Sequence, residues 1–196
     1  MNRISKIALL ATVAILPMTG AGAASAAQVS APEAASASTA VPGGFFKPGP
    51  NTIVKRTAGA TSAPAPSGAS AKAGSEITLK NINGPSEVCG TTKLQKTSGA
   101  GKTTLVMTVS KSVSAELSTE VSVDAKVVSG KLGFKVTGTF GVEDQTRYEV
   151  PKGKFGYIEA YPLYDMYTYS VYSGSRNLGA SWAMKPVGVC FNQWTE

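Results

Sequence analysis

The sequence predicts an all-β fold: an elongated, mostly antiparallel, twisted sheet carrying one long amphipathic β-hairpin. Three observations lead there. Over residues 105–127 the odd positions read Leu, Met, Val, Lys, Val, Ala, Leu, Thr, Val, Val, Ala, Val, while the even positions are dominated by Ser and acids. Successive side chains of a strand point to opposite faces, so this run has one apolar and one polar face. Past residue 131 the apolar side chains move to even numbers, at Leu132, Phe134, Val136, Phe140 and Val142, a switch of parity that a tight turn at Ser129-Gly130 produces. No segment of useful length shows helical periodicity.

In chain order, residues 1–27 read as a secretory signal peptide. Arg3 and Lys6 form a basic start, residues 7–16 an apolar core, and Ala24-Ser25-Ala26 a small-residue site with cleavage near Ala26. Ten apolar residues are too few to span a bilayer as a helix, and no later run reaches the ~20 needed. The expected product is secreted and soluble. Residues 28–75 are dominated by Ala, Ser, Gly, Pro and Thr, with too little apolar bulk to offset the entropy of ordering, and read as a disordered spacer or pro-segment. Inside it, Phe45-Phe46 and the dibasic Lys55-Arg56 mark a docking motif, a processing site, or simply a stickier stretch of linker.

Residues 76–196 are expected to form the all-β domain. Ile77-Thr78-Leu79 reads as a short strand, Asn83-Gly84-Pro85 as a turn, and Ser98-Gly99-Ala100-Gly101 as a loop before the long alternating run. Strands follow around Phe155 to Tyr161, Met166 to Tyr172 and Val187 to Trp194, with Pro162 as an interruption. Cys89 and Cys190 lie near opposite ends of this domain, and an oxidising compartment favours joining them. In the chain-entropy model such a bridge stabilises by up to ~4–5 kcal/mol.

Several chemistries are excluded by composition. The chain has no histidine, which removes Ser/His/Asp and Cys/His triads and most zinc sites. Glu116, Glu120 and Asp124 share a strand face, but four-residue spacing sets them ~13 Å apart, beyond the ~5–9.5 Å of glycosidase acid pairs. Gly99-Ala100-Gly101-Lys102-Thr103-Thr104 imitates the end of a phosphate-binding loop, yet position 96 is Lys rather than Gly, and a strand rather than a helix follows. The chain therefore reads as a non-enzyme without cofactor or metal. Its net charge of +7 is spread out, which argues against a nucleic-acid partner and allows weak contact with anionic lipids or wall polymers.

A Ser129-Gly130 turn pairs residues whose numbers sum to 259. Val127 then meets Leu132, Ala125 meets Phe134, Val123 meets Val136 and Leu117 meets Val142, while Asp124 meets Lys135 and Ser122 meets Thr137 on the other face. Glu116 would face Glu143, so regular pairing is expected to end there. Twenty-three residues in phase far exceed the usual ~5–6 of a strand. Arms 117–127 and 132–142 each match the ~9–11 residues of a membrane-barrel strand. Membrane-facing positions would be Val113, Leu117, Val121, Val123, Val127, Leu132, Phe134, Val136, Phe140 and Val142; Glu120, Asp124, Lys126 and Lys135 would line water.

Ser/Thr-rich alternation on both sides of a short turn, then a strand running into Val150-Pro151-Lys152-Gly153, resembles the aerolysin and epsilon-toxin class of β-pore-forming proteins over about residues 103–172. The resemblance implies an aerolysin-like module: a secreted protein that forms a homo-oligomer on a target membrane and inserts a hairpin, here residues 113–142. The Ala-rich leader also resembles that of small exported proteins of high-GC Gram-positive bacteria. The alternative reading is a non-lytic extracellular β module that binds cell-envelope polymer, glycan or protein. Its binding surface would be Tyr157, Tyr161, Tyr167 and Tyr169, members of a tyrosine cluster between residues 148 and 172.

Overall fold

A computed structural model describes residues 41–60 and 77–196. The signal peptide, with its cleavage site near Ala26, lies outside the described residues. The strands are β1 (Phe45–Phe46), β2 (Thr52–Arg56), β3 (Ile77–Gly90), β4 (Gln95–Ala100), β5 (Thr103–Ser114), β6 (Glu116–Leu117), β7 (Thr139–Val150), β8 (Phe155–Ser173) and β9 (Arg176–Thr195). Among the described residues one short helix, α1 (Ala125–Leu132), interrupts them.

β8 and β9, of 19 and 20 residues, form the antiparallel spine of a seven-stranded sheet. Gly174, at φ 59°, opens the two-residue loop between them, where a left-handed backbone suits glycine. The strand order is β1-β3-β8-β9-β2, with β4 also beside β8 and β6 also beside β9. The spine absorbs Pro162 rather than ending at it. Residues up to Ala160 pair with β4 and those from Leu163 pair with β3, so the proline's missing N–H falls where the neighbour changes. Asn83-Gly84-Pro85 likewise lies within a strand, as an irregularity in β3 rather than a turn. Gly84 has φ 120°, and a Cβ there would lie 2.6 Å from the Met166 carbonyl oxygen.

The two faces of the spine bury different things. Ile158, Ala160, Tyr164 and Met166 of β8 pack with Met107, Val109, Val142 and Val150 of a separate two-stranded sheet, β5–β7. Each such large aliphatic side chain, fully removed from water, contributes ~1.5–3 kcal/mol. Tyr167, Tyr169 and Val171 point the other way and pack under α1. Cys89 and Cys190 are disulfide-bonded, with Cα atoms 6.1 Å apart, and pack with Leu163 and Val187 in a third cluster.

Two expectations need correction. Residues 41–60 do not belong to the spacer: β1 pairs with the end of β3, and β2 pairs with β9 from Gly188 to Asn192. Phe46 and Val54 bring the apolar bulk that the surrounding Ala/Ser/Pro lacks, and both pack against the disulfide cluster. The rest of the spacer lies outside the described residues. The second correction concerns the hairpin, whose turn is not at Ser129-Gly130; both residues belong to α1.

Candidate functional site: the segment between β5 and β7

The alternating run forms a regular ladder over its first half. β5 and β7 pair from Thr103 and Val150 to Ser114 and Thr139 with no irregularity, in a register where partner numbers sum to 253 rather than 259. Glu143 therefore faces Ser110, and pairing runs through it instead of stopping there. The predicted division of faces holds: Leu105, Met107, Val109 and Val113 are buried, while Val106, Thr108, Ser110 and Ser112 are exposed. One further rung follows the ladder, as Ala115 N–H donates to the Gly138 carbonyl at 2.8 Å.

Beyond that rung the chain leaves the ladder and wraps the β9 edge. Glu116 and Leu117, as β6, pair with Met184 and Ala183, and Ser118 N–H donates to the Trp182 carbonyl at 3.0 Å. The segment then folds into α1 for local reasons that override its alternation. The Asp124 side chain accepts from Lys126 N–H at 2.8 Å and caps the N-terminus. Gly133, at φ 73°, ends the helix in a left-handed cap, its N–H donating to the Ser129 carbonyl. Lys131 lies in the last turn, where a cation suits the helix dipole. Val128 and Leu132, four residues apart, fall on the buried face. On the return to β7 the Ser129 hydroxyl accepts from Val136 N–H at 3.1 Å.

The side chains expected to face lipid are packed on protein here. Leu132, Phe134 and Val136 are buried with Leu79, Tyr167, Tyr169, Val171 and Ala183, and Leu117, Val121, Val123 and Phe140 pack half-buried against them. Val113 and Val142 belong to the core between the sheets, and Val127 is half-buried. Glu120, Asp124, Lys126 and Lys135 are all exposed. The segment thus keeps the predicted segregation of apolar from polar side chains without the predicted pairing.

The tyrosine surface divides. Tyr167 and Tyr169 are each 2 % exposed under α1, so they are core residues and not surface aromatics. The reason is position: they lie on the stretch of β8 that α1 covers. Tyr157 and Tyr161 remain half-buried at the other end of that face. Sequence reading passed over Trp194, whose ring stacks on Tyr157 at 5.1 Å and 14°. It also passed over Glu159, whose carboxylate accepts from the Tyr161 hydroxyl at 2.6 Å and pairs with Lys93 and Lys96. Period two from Tyr157 would have found Glu159. Burial pushes the Glu159 carboxyl up, but hydrogen bonds from Lys93, Tyr161 and Lys96 outweigh it and hold its pKa below the ordinary 4.5. Burial and the same carboxylate push the Tyr161 hydroxyl up to about 12. Among the described residues no group of three or more Cys, Asp or Glu side chains could hold a metal ion. No protein-family model and no curated protein matches the chain.

Proposed function

We propose that the chain is an exported, membrane-active protein of aerolysin-like type, which assembles on a target bilayer and inserts residues 113–142 as a β-hairpin. The observation that carries this reading is the rung between Ala115 and Gly138 at the end of the β5–β7 ladder. Continued inward in the same register, that ladder pairs Leu117 with Val136, Thr119 with Phe134, Val121 with Leu132 and Val123 with Gly130 on one face. The other face then carries Glu116, Ser118, Glu120, Ser122, Thr137, Lys135, Gly133 and Lys131. The tip falls near Lys126-Val127, and each arm exceeds the ~9–11 residues that a barrel strand needs to cross the hydrocarbon.

Conversion releases β6 from β9 and lifts Leu132, Phe134 and Val136 off Tyr167, Tyr169 and Val171. An eight-residue helix has marginal stability of its own and depends on the packing of Val128 and Leu132 beneath it. In a closed barrel every backbone N–H and C=O of the released segment finds a partner, and its apolar side chains exchange protein contacts for lipid. The Cys89–Cys190 disulfide is in keeping with export to an oxidising compartment.

The test is dye release from liposomes by the mature protein and by Val123→Asp. Val123 is half-buried, so the variant is expected to keep the wild-type melting temperature within a few degrees while losing dye release, because a charge would face lipid. Absence of release from every lipid composition tried, with and without limited proteolysis, overturns the proposal.

A further inference from the structure

The end of the spine farthest from α1 carries a groove that insertion does not use. Alternation along β8 sets Phe155, Tyr157, Glu159 and Tyr161 on one face. The β8–β9 register places Trp194 opposite Tyr157 and Asn192 opposite Glu159, and the β2–β9 register adds Thr52 opposite Asn192. Residues 47–51, between β1 and β2, form one wall. The resulting groove has a volume of about 510 Å³ and is lined by Phe46, Lys47, Asn51, Glu159, Asn192 and Trp194 among others. That volume falls within the range of small-ligand sites.

Its chemistry pairs a flat apolar surface with fixed planar hydrogen-bonding groups. The Trp194 ring is braced on Tyr157, and Phe155, 41 % exposed, leans on Tyr157 at 5.2 Å with its ring tilted by 54°. The Asn192 side-chain oxygen accepts from the Thr52 hydroxyl at 2.7 Å, which orients the amide. Its amide nitrogen has no partner among the described residues, leaving two donors for a ligand. Glu159 is held in place by Tyr161, Lys93 and Lys96 and supplies further acceptor capacity.

We infer that this groove binds a neutral glycan, with the C–H face of a hexopyranose on the Trp194 platform and its vicinal hydroxyls on Asn192 and Glu159. A pyranose presents an apolar face beside a ring of hydroxyls, which matches a braced indole beside planar amide and carboxylate groups. An extended peptide finds no partner edge here, because β8 is paired on both sides along the groove floor and β9 is paired on both sides through Asn192. One lining cation, Lys47, is little for a polyanion to grip, because Lys93 and Lys96 are both paired with Glu159. The glycan site is independent of membrane insertion and would equally serve a protein that never entered a bilayer.

The experiment is calorimetric titration of the intact, disulfide-bonded protein with chito-, cello-, galacto- and manno-oligosaccharides, with a sulfated heparin oligosaccharide as a separate arm. At least one neutral series is expected to bind saturably. Trp194→Ala should then weaken binding about tenfold, as loss of a stacked ring does. Asn192→Ala, which leaves the platform intact, should weaken it roughly fivefold, the loss expected of one hydrogen bond. Val123→Asp should bind as the wild type does, which separates this site from the insertion reading. Absence of saturable binding to every neutral series overturns the inference. So does wild-type affinity in Asn192→Ala and in a folded Trp194→Ala, or binding confined to the sulfated oligosaccharide and abolished by salt.

Discussion

Arg56 donates to both carboxylate oxygens of Asp165, at 2.9 and 2.8 Å, and so ties β2 to the middle of β8. The Asp165 side chain has no exposed surface, and Glu87 lies 2.9 Å from the same guanidinium. A buried carboxylate deprived of its partner is costly. Arg56→Ala is therefore expected to destabilise the protein by about 3 kcal/mol, the low end for buried pairs because the guanidinium is one-third exposed. Urea denaturation checks this, and Arg56→Met combined with Asp165→Leu should cost less than Arg56→Ala alone. The dibasic Lys55-Arg56 is thus a structural pair, with Lys55 bridging to Asp144 on β7 at 3.6 Å.

The disulfide closes a loop with a sequence separation of 101. Replacing both cysteines by serine should lower stability by about 4–5 kcal/mol, on the chain-entropy account of a loop that long. Equilibrium unfolding of the double variant against wild type gives the figure.

α1 depends on its caps. Gly133→Ala forces a Cβ into a left-handed backbone and should cost about 1 kcal/mol. Asp124→Ala removes the N-cap acceptor at a similar cost of about 1 kcal/mol. Both changes weaken the state in which residues 115–138 lie on the sheet, so both should speed dye release from liposomes, the opposite of Val123→Asp.

Stability should fall at alkaline pH. Burial, with Glu116 nearby, pushes the Tyr164 hydroxyl up to about 12, and burial with Glu159 does the same at Tyr161. Both pKa values are raised in the folded state, so their contribution is fully present below the unfolded value of about 10 and is lost as pH rises through the folded value. The melting temperature should drop between about pH 10 and pH 12, and Tyr164→Phe should flatten that drop.

The faces of the β5–β7 ladder were legible in the sequence because parity alone assigns them, and Leu105, Met107, Val109 and Val113 are buried as their alternation requires. The register was not legible, since 253 and 259 are both odd and preserve the same faces. α1 was visible in principle: Asp124 and Gly133 flank it as caps, with Val128 and Leu132 four apart. A 23-residue alternation masked those signals. The ordering of residues 41–60 was hidden because Phe46, Val54 and Arg56 act through partners distant in sequence, among them Tyr161, the disulfide and Asp165. Tyr167 and Tyr169 read as surface because which stretch of a long strand is covered depends on where α1 lands. The groove was out of reach for the same reason, as it joins β2, β8 and β9 across the sheet.

The rung between Ala115 and Gly138 has a consequence for how the chain tolerates insertions and deletions. In the folded state residues 115–138 form an irregular excursion, which can absorb the loss of one residue such as the exposed Thr119 by slack. In an extended hairpin the same deletion would shift the reading frame of the faces, turning every side chain between it and the tip to the wrong side. Removal of two residues would restore the frame. Between β6 and α1 the folded chain has slack, whereas an inserted hairpin would be constrained by evenness, so single and paired deletions there separate the two.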